Sequence, residues 1–299
     1  MSGTAFIGLG MMGQGMARNM LSKGIALRGF DLNAAARTRF ANFGGTACVT
    51  AALAAQGCDM VFVMVQTAAQ ARQVLFADGV AAALDPQSVI VLCSTISASD
   101  MRRISAEVAA IGHDLLAAPV SGGQVGADAG TLTIMASGPE RAMKKALPAL
   151  QAVAKKVHQL GTDPGLGATY KVVHQLAAGV HLVAAAELMA LGVKAGCDPH
   201  KLYEIVSSSA GNSWMFGDRA PRMMEADPRA TSSVDIFLKD MSLVLQTGEE
   251  TGVPLPLAQA AFQMLKAAGE MGCGPSDDST VVRAYEEVTG AVVHKAITE

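Results

Sequence analysis

The tightest constraint on the fold lies in the first fifteen residues. An apolar run, Thr4 to Ile7, opens directly onto Gly8-Leu9-Gly10-Met11-Met12-Gly13 and then onto a segment of helical period. Glycines at those three positions allow a tight turn, a close approach of backbone to a diphosphate, and close packing of a helix on its strand. The helix N-terminus that follows presents unpaired N–H groups, the natural partners of phosphate oxygens. A lone glycine fingerprint is a weak signal, but strand before and helix after supply the context the chemistry requires. The next apolar run ends on Asp31, 18 residues past Gly13. A carboxylate there would accept hydrogen bonds from an adenosine ribose and repel a ribose phosphate, so NAD is expected over NADP.

Up to about residue 160, short apolar runs alternate with helix-like segments. Candidate strands are Ala5 to Gly8, Ala26 to Asp31, Met60 to Val65, Val89 to Cys93, Leu115 to Ala118 and Thr131 to Ala136. Candidate helices between them are Met12 to Ser22, Ala34 to Phe43 and Asp100 to Ile111. Such alternation predicts an α/β, doubly wound parallel sheet of the Rossmann type, and the continuous apolarity of the runs suits strands covered on both faces. After a turn-rich segment, Gly161 to Gly167, the pattern becomes helical throughout. Residues 168–195 predict one helix of about 28 residues, roughly 42 Å long at 1.5 Å per residue. The expected organisation is a dinucleotide-binding domain, 1–163, followed by an all-α domain for substrate and oligomerisation, 164–299, with the long helix joining them.

Several functional classes are disfavoured. The net charge of -3 and the scattered Lys and Arg provide no basic stripe for nucleic acid. The five cysteines (Cys48, Cys58, Cys93, Cys197, Cys273) include no CxxC pair, so neither a disulfide framework nor a metal site is expected, and a reducing cytoplasm fits. No basic leader precedes the first strand, and the most apolar later stretch is interrupted by Gly179, His181, Glu187 and Gly192, which favours a buried helix over a membrane span.

Three further clusters are candidates for chemistry. Pro119-Val120-Ser121-Gly122-Gly123, followed by Gly126 and Gly130, reads equally as a carboxylate cradle of backbone N–H groups with the Ser121 hydroxyl, or as an irregular turn. Lys171, His174, Ala178 and His181 fall on one face of the long helix, with Gln175 beside His174. A lysine and a histidine in an apolar helix are costly unless paired or used, although a lysine can also snorkel to solvent. On pattern alone, Lys239-Asp240 is read more readily as an exposed helical charge pair than as a functional site.

Taken in order, FIGLGMMGQGMARNM, APVSGGQVGADAGTLTIMASG, GATYKVVHQ, FLKDM and GPSDDS resemble the β-hydroxyacid dehydrogenase family over essentially the whole chain. That family includes 3-hydroxyisobutyrate dehydrogenase, tartronate semialdehyde reductase and, more distantly, 6-phosphogluconate dehydrogenase. The resemblance implies that Gly8, Gly10, Met11, Met12 and Asp31 hold NAD, lined by Val65, Gln66, Ser94 and Thr95, with Lys239 flanking the nicotinamide. It implies that Ser121, Gly122 and Gly123 bind the substrate carboxylate and that Lys171 is the catalytic residue. The reaction needs a base within hydrogen-bond reach of the reacting hydroxyl, and a lysine serves only where burial and nearby positive charge favour its neutral form.

The chain departs from the family at His174, where many short members carry Asn. Histidine both donates and accepts, which suits a polyhydroxy acid better than a methyl-bearing one. With Gln175, Asn212 and Trp214 as further substrate contacts, a small sugar acid is expected, and the resemblance of KVVHQ, GVH and NSWMF to the sugar-acid branch of the family implies L-threonate, oxidised at C2. The alternatives are a 3-hydroxyisobutyrate dehydrogenase or semialdehyde reductase, and a non-catalytic dinucleotide-binding protein on the same fold. The long apolar helix also predicts a homodimer or homotetramer.

Overall fold

The computed structural model describes residues 3–295. The chain separates into two compact units after Val172.

Among the described residues the first unit contains nine strands: β1 (Gly3–Ile7), β2 (Leu27–Phe30), β3 (Thr46–Ala47), β4 (Cys58–Val63), β5 (Val89–Leu92), β6 (Asp114–Ala117), β7 (Val120–Ser121), β8 (Leu132–Ala136) and β9 (Ala154–Gln159). Its helices are α1 (Met11–Ser22), α2 (Ala34–Asn42), α3 (Ala51–Ala55), α4 (Ala68–Arg72), α5 (Val80–Ala83), α6 (Ala98–Ala110), α7 (Gly123–Ala129) and α8 (Glu140–Val153). Strands β3-β2-β1-β4-β5-β6 form one all-parallel sheet in that order. This is the doubly wound topology, with its switch point between β1 and β4.

Alternation along the strands divides the core. Phe6, Phe62, Val91 and Leu116 pack on one face with Met16 and Met20 of α1. Ala5, Val61, Ile90 and Leu115 pack on the other with Met101, Ile104 and Val108 of α6. Both faces are covered by helices, which explains why the strand sequences are continuously apolar.

The segment Thr131 to Ala136 does form a strand, β8, but in a second sheet of order β7-β8-β9. There β7 pairs antiparallel and β9 parallel with it.

The second unit is helical: most of α9 (Gly165–Lys194), then α10 (Pro199–Ser207), α11 (Trp214–Met223), α12 (Val234–Thr251), α13 (Pro256–Ala268) and α14 (Val282–Thr289). The expected fold class therefore holds. The division differs from the 163/164 boundary because the first two turns of α9 belong to the core of the first unit. Ser137 Oγ accepts from Gly167 N at 2.8 Å and donates to the Pro164 carbonyl at 3.1 Å, and Ala168 joins the apolar cluster beneath the sheet. A Cβ at Gly167 would overlap the Met135 carbonyl oxygen, so glycine is what lets the helix start this close to β8.

By length and apolarity α9 is the one helix among the described residues that could cross a membrane. Half of its most apolar window is buried within the protein.

Candidate active site

Strands β1, β2 and β4 end together at the glycine turn. Gly8 N donates to the Phe30 carbonyl and Met64 N to the Ile7 carbonyl, both at 2.9 Å. Gly8 has φ +94°. A Cβ on it would overlap the Met64 carbonyl oxygen, and one on Gly13 would overlap the Gly8 carbonyl oxygen. Gly10, by contrast, faces open space, with nothing within 4 Å of where its Cβ would stand. It caps α1 without a side-chain hydrogen bond, and exposed Met11 begins the helix. Two packed glycines and one open glycine before first-turn N–H groups fit a pyrophosphate.

Asp31 follows β2. Its Oδ2 accepts from Leu9 N at 2.7 Å and its Oδ1 from Asn33 N at 2.8 Å, so the carboxylate is fixed beside the turn. Arg37, absent from the sequence-based expectations, donates to the Asp31 carbonyl at 2.6 Å and stacks over Phe30 at 5.7 Å, bracing this corner. After β4 and β5, Val65 N donates to the Ser94 hydroxyl at 3.3 Å, which joins two of the expected lining residues; Thr95 comes next in the chain. Gln66 N donates to Gln70 Oε1 at 2.9 Å. Complete burial pushes the Cys93 thiol up to about 12, so this neighbour of Ser94 is an inert packing group.

Ser121 ends β7 opposite Thr133 of β8. Gly122 (φ +127°) and Gly123 (φ +60°) then turn the chain into α7, a conformation that L side chains rarely adopt.

On α9, Lys171 and Gln175 are both 6% exposed, His174 is half-buried and His181 is exposed. The buried stripe thus runs through Lys171, Gln175, Ala178 and Leu182, with His174 at its rim and His181 outside it. Within the second unit a chain of polar contacts follows. Gln175 Nε2 donates to Asp240 Oδ2 at 2.6 Å, and Gln175 Oε1 lies 3.1 Å from His174 Nδ1. The buried carboxylate can only accept, which turns the amide oxygen toward histidine. With the amide oxygen facing it, His174 Nδ1 is the donor in that contact. Lys239 Nζ pairs with Asp240 Oδ1 at 2.6 Å, so this pair is part of the buried network rather than an exposed helical pair.

Trp214 begins α11 and is 59% exposed, its ring 5.8 Å from the Arg219 guanidinium. The Ser213 hydroxyl caps α11, accepting from Phe216 N at 3.0 Å, and the Asn212 amide donates to the Ser207 carbonyl at 2.9 Å. Among the described residues, no group of three His, Cys, Asp or Glu side chains is placed to hold a metal ion.

A doubly wound sheet with this glycine turn has the architecture of a dinucleotide-binding protein, and similarity to known proteins makes it a nicotinamide-dependent dehydrogenase. Residues 3–161 match the NAD binding domain of 6-phosphogluconate dehydrogenase, and residues 165–285 match the NAD-binding domain of NADP-dependent 3-hydroxyisobutyrate dehydrogenase. The chain is 42% identical to L-threonate dehydrogenase of Escherichia coli K12 over 285 residues, which is 95% of this chain and 94% of that protein. It is 35% identical to 2-(hydroxymethyl)glutarate dehydrogenase of Eubacterium barkeri, over 96% of each chain. In structure it is similar to 3-hydroxyisobutyrate dehydrogenase from Salmonella typhimurium, with a TM-score of 0.91 and 43% identity over 95% of this chain and 99% of that one. The chain belongs to the β-hydroxyacid dehydrogenase family, and is an NAD-binding enzyme acting on a hydroxyl group.

Proposed function

We propose that this enzyme oxidises L-threonate, a four-carbon aldonic acid, at C2 to the 2-oxo acid with NAD. The observation that carries this reading is the Asp240–Gln175–His174 chain, which fixes a polar imidazole at the rim of the buried stripe that bears Lys171, in keeping with a substrate that has more than one hydroxyl. The relatives named L-threonate dehydrogenase, such as that of Cupriavidus necator at 42% identity over 93% of this chain, support the same substrate.

In the proposed reaction the Ser121 hydroxyl and the backbone N–H groups of Gly122 and Gly123 hold the acid's carboxylate. Lys171 Nζ takes the C2 hydroxyl proton as the C2–H bond breaks and the carbonyl forms. The reaction requires such a base within hydrogen-bond reach of the hydroxyl, and Lys171, 6% exposed, is the lysine buried on this helix. Bound NAD supplies the acceptor for the departing hydride. Gly8, Gly10, Met11, Met12 and Asp31 hold it, Val65, Gln66, Ser94 and Thr95 line it, and Lys239 flanks its nicotinamide. Gln175 orients His174, while Asn212 and Trp214 contact the distal end of the acid. Ser213 is committed as a helix cap, so Asn212 is the better candidate for a distal hydroxyl. The enzyme is read as soluble and cytoplasmic, working as a homodimer or homotetramer.

A second reading, 3-hydroxyisobutyrate oxidation, draws on the similarity to the Salmonella typhimurium protein of that name. NAD reduction measured across L-threonate, D-threonate, D-erythronate, L-serine, 3-hydroxyisobutyrate and glycerate separates the two. The highest kcat/KM is expected on L-threonate, and turnover confined to three-carbon or branched acids would overturn the proposal. Lys171→Ala is expected to lower kcat by about a hundredfold or more with NAD binding retained. Near-normal turnover in that variant would remove Lys171 from the mechanism.

A further inference from the structure

The loop Ser121–Gly123 runs straight into α7, and the other end of α7 is held by the helix that begins at the glycine turn. The backbones of α1 and α7 meet at Gly15 without a side chain between them. A Cβ on Gly15 would lie 2.7 Å from the Ala127 carbonyl carbon and 2.8 Å from Asp128 Oδ1. One turn further along α1, Asn19 Nδ2 donates to the Ala127 carbonyl at 2.8 Å and the Asp128 carbonyl at 3.2 Å, and to Gly15 of its own helix at 2.9 Å. These two acceptors in α7 are last-turn carbonyls, which a helix leaves without internal partners. Gly130 ends α7 in the left-handed region (φ +68°), and a Cβ there would come within 3.1 Å of Asn19 Oδ1. Along the side of the helix, a Cβ on Gly126 would meet Leu132 of β8 at 3.2 Å. The seven-residue helix is thus a short strut, fixed to α1 at one end and carrying the Ser-Gly-Gly loop at the other.

We propose that Asn19 is a positioning residue for the substrate loop. By holding the C-terminal carbonyls of α7 on the cofactor-binding helix, it sets where Ser121 and the N–H groups of Gly122 and Gly123 stand relative to the glycine turn. The inference rests on the reading that this loop binds the acid's carboxylate. An amide suits the position because its nitrogen donates two protons toward converging carbonyl oxygens, whereas a carboxylate would set oxygen against oxygen. Alanine would leave the Ala127 carbonyl without its donor, while the Asp128 carbonyl would keep Arg18 Nη2 at 3.1 Å.

The test is steady-state kinetics on Asn19→Ala, Asn19→Asp, Asn19→Gln and Ser121→Ala, with the acid that the native enzyme turns over best and with NADH binding titrated separately. Asn19→Ala is expected to raise the acid KM about tenfold, the equivalent of about 1.4 kcal/mol, with kcat and the NADH dissociation constant each within about threefold of native. Asn19→Asp should raise the acid KM further, and Asn19→Gln, which keeps the amide, should fall between native and Ala. If Asn19→Ala does not fold, the Gln and Asp variants decide the same order. A lowered melting temperature with an unchanged acid KM would make Asn19 merely structural and overturn the proposal. The Ser121→Ala variant separates the two readings. If it raises the acid KM while the Asn19 series does not, the positioning role alone fails; if it leaves the acid KM unmoved, the loop does not bind the acid and both fail.

Discussion

Asp31 is the side chain proposed to set cofactor choice. Its two oxygens accept from Leu9 N and Asn33 N, so it is held at the turn before any ribose arrives. An oriented carboxylate can accept from two ribose hydroxyls and repels a phosphate in the same place. Asp31→Ala is expected to raise the NAD KM by about tenfold or more and to shrink the preference for NAD over NADP, read from kcat/KM with each cofactor. An unchanged preference would take Asp31 out of cofactor selection. The placement of Asp31 and the glycines was legible in the sequence because local chain geometry, a strand end and a helix start, fixes where they stand. Asn19 and Asp240 were not legible in their roles, because their partners lie 108 and 65 residues away. Only the folded chain brings Gln175 to Asp240, and that contact turns the Gln175 amide oxygen toward His174 Nδ1.

At the scale of elements, α11 is anchored by buried charge rather than by apolar packing alone. Arg219, 5% exposed, donates from Nε and Nη2 to the two oxygens of fully buried Asp278 at 2.6 and 2.9 Å, and also pairs with Asp218. Arg222 reaches Asp277 at 2.7 Å, and Asp277 accepts from Thr231 N at 2.9 Å. Burial pushes the Asp278 carboxyl above the usual carboxylate range, while the Arg219 guanidinium pulls it back. Removing one partner of such a pair strands the other, so Asp278→Ala is expected to cost about 3–5 kcal/mol, a drop of roughly 10 °C in melting temperature. Combining it with Arg219→Met should recover much of that loss. The protein's one tryptophan, Trp214, lies over Arg219, so its emission should shift in the single variant; an unchanged melt and spectrum would show that the network does not hold α11. The GPSDDS segment was legible only as part of a family resemblance, since nothing in its spacing reveals two arginines on another helix. Strands escaped for a related reason. β3 and β7 are two residues long, below any periodic signal, and β9 (AKKVHQ) is polar because it is largely exposed. Without β7 and β9 in view, β8 could only be assigned to the main sheet.

The whole chain carries more apolar helix than its own core covers. Along α9 the buried stripe through Lys171, Gln175, Ala178, Leu182 and Met189 is opposed by an exposed one through Tyr170, Ala177, Ala184 and Leu191, spaced by seven. A seven-residue repeat of apolar and small residues keeps one seam of a helix in register with a partner helix. Tyr170 and Leu191 remain 55% and 69% exposed in the single chain, a poor arrangement for a helix whose most apolar window has a mean hydropathy of 1.8. A second copy of this chain would cover that seam with the same surface, as a two-fold interface requires. Light scattering on the purified enzyme should therefore give the mass of two or four chains. Ala184→Glu, at the middle of the seam, puts a charge where two helices would meet and should lower that mass while leaving each chain folded by circular dichroism. Ala184 lies on the opposite side of the helix from Lys171 and Gln175, so the substitution tests the seam without touching the residues assigned to chemistry. A native mass of one chain, or a variant that keeps the native mass, would mean that this face of α9 is not where copies of the protein meet.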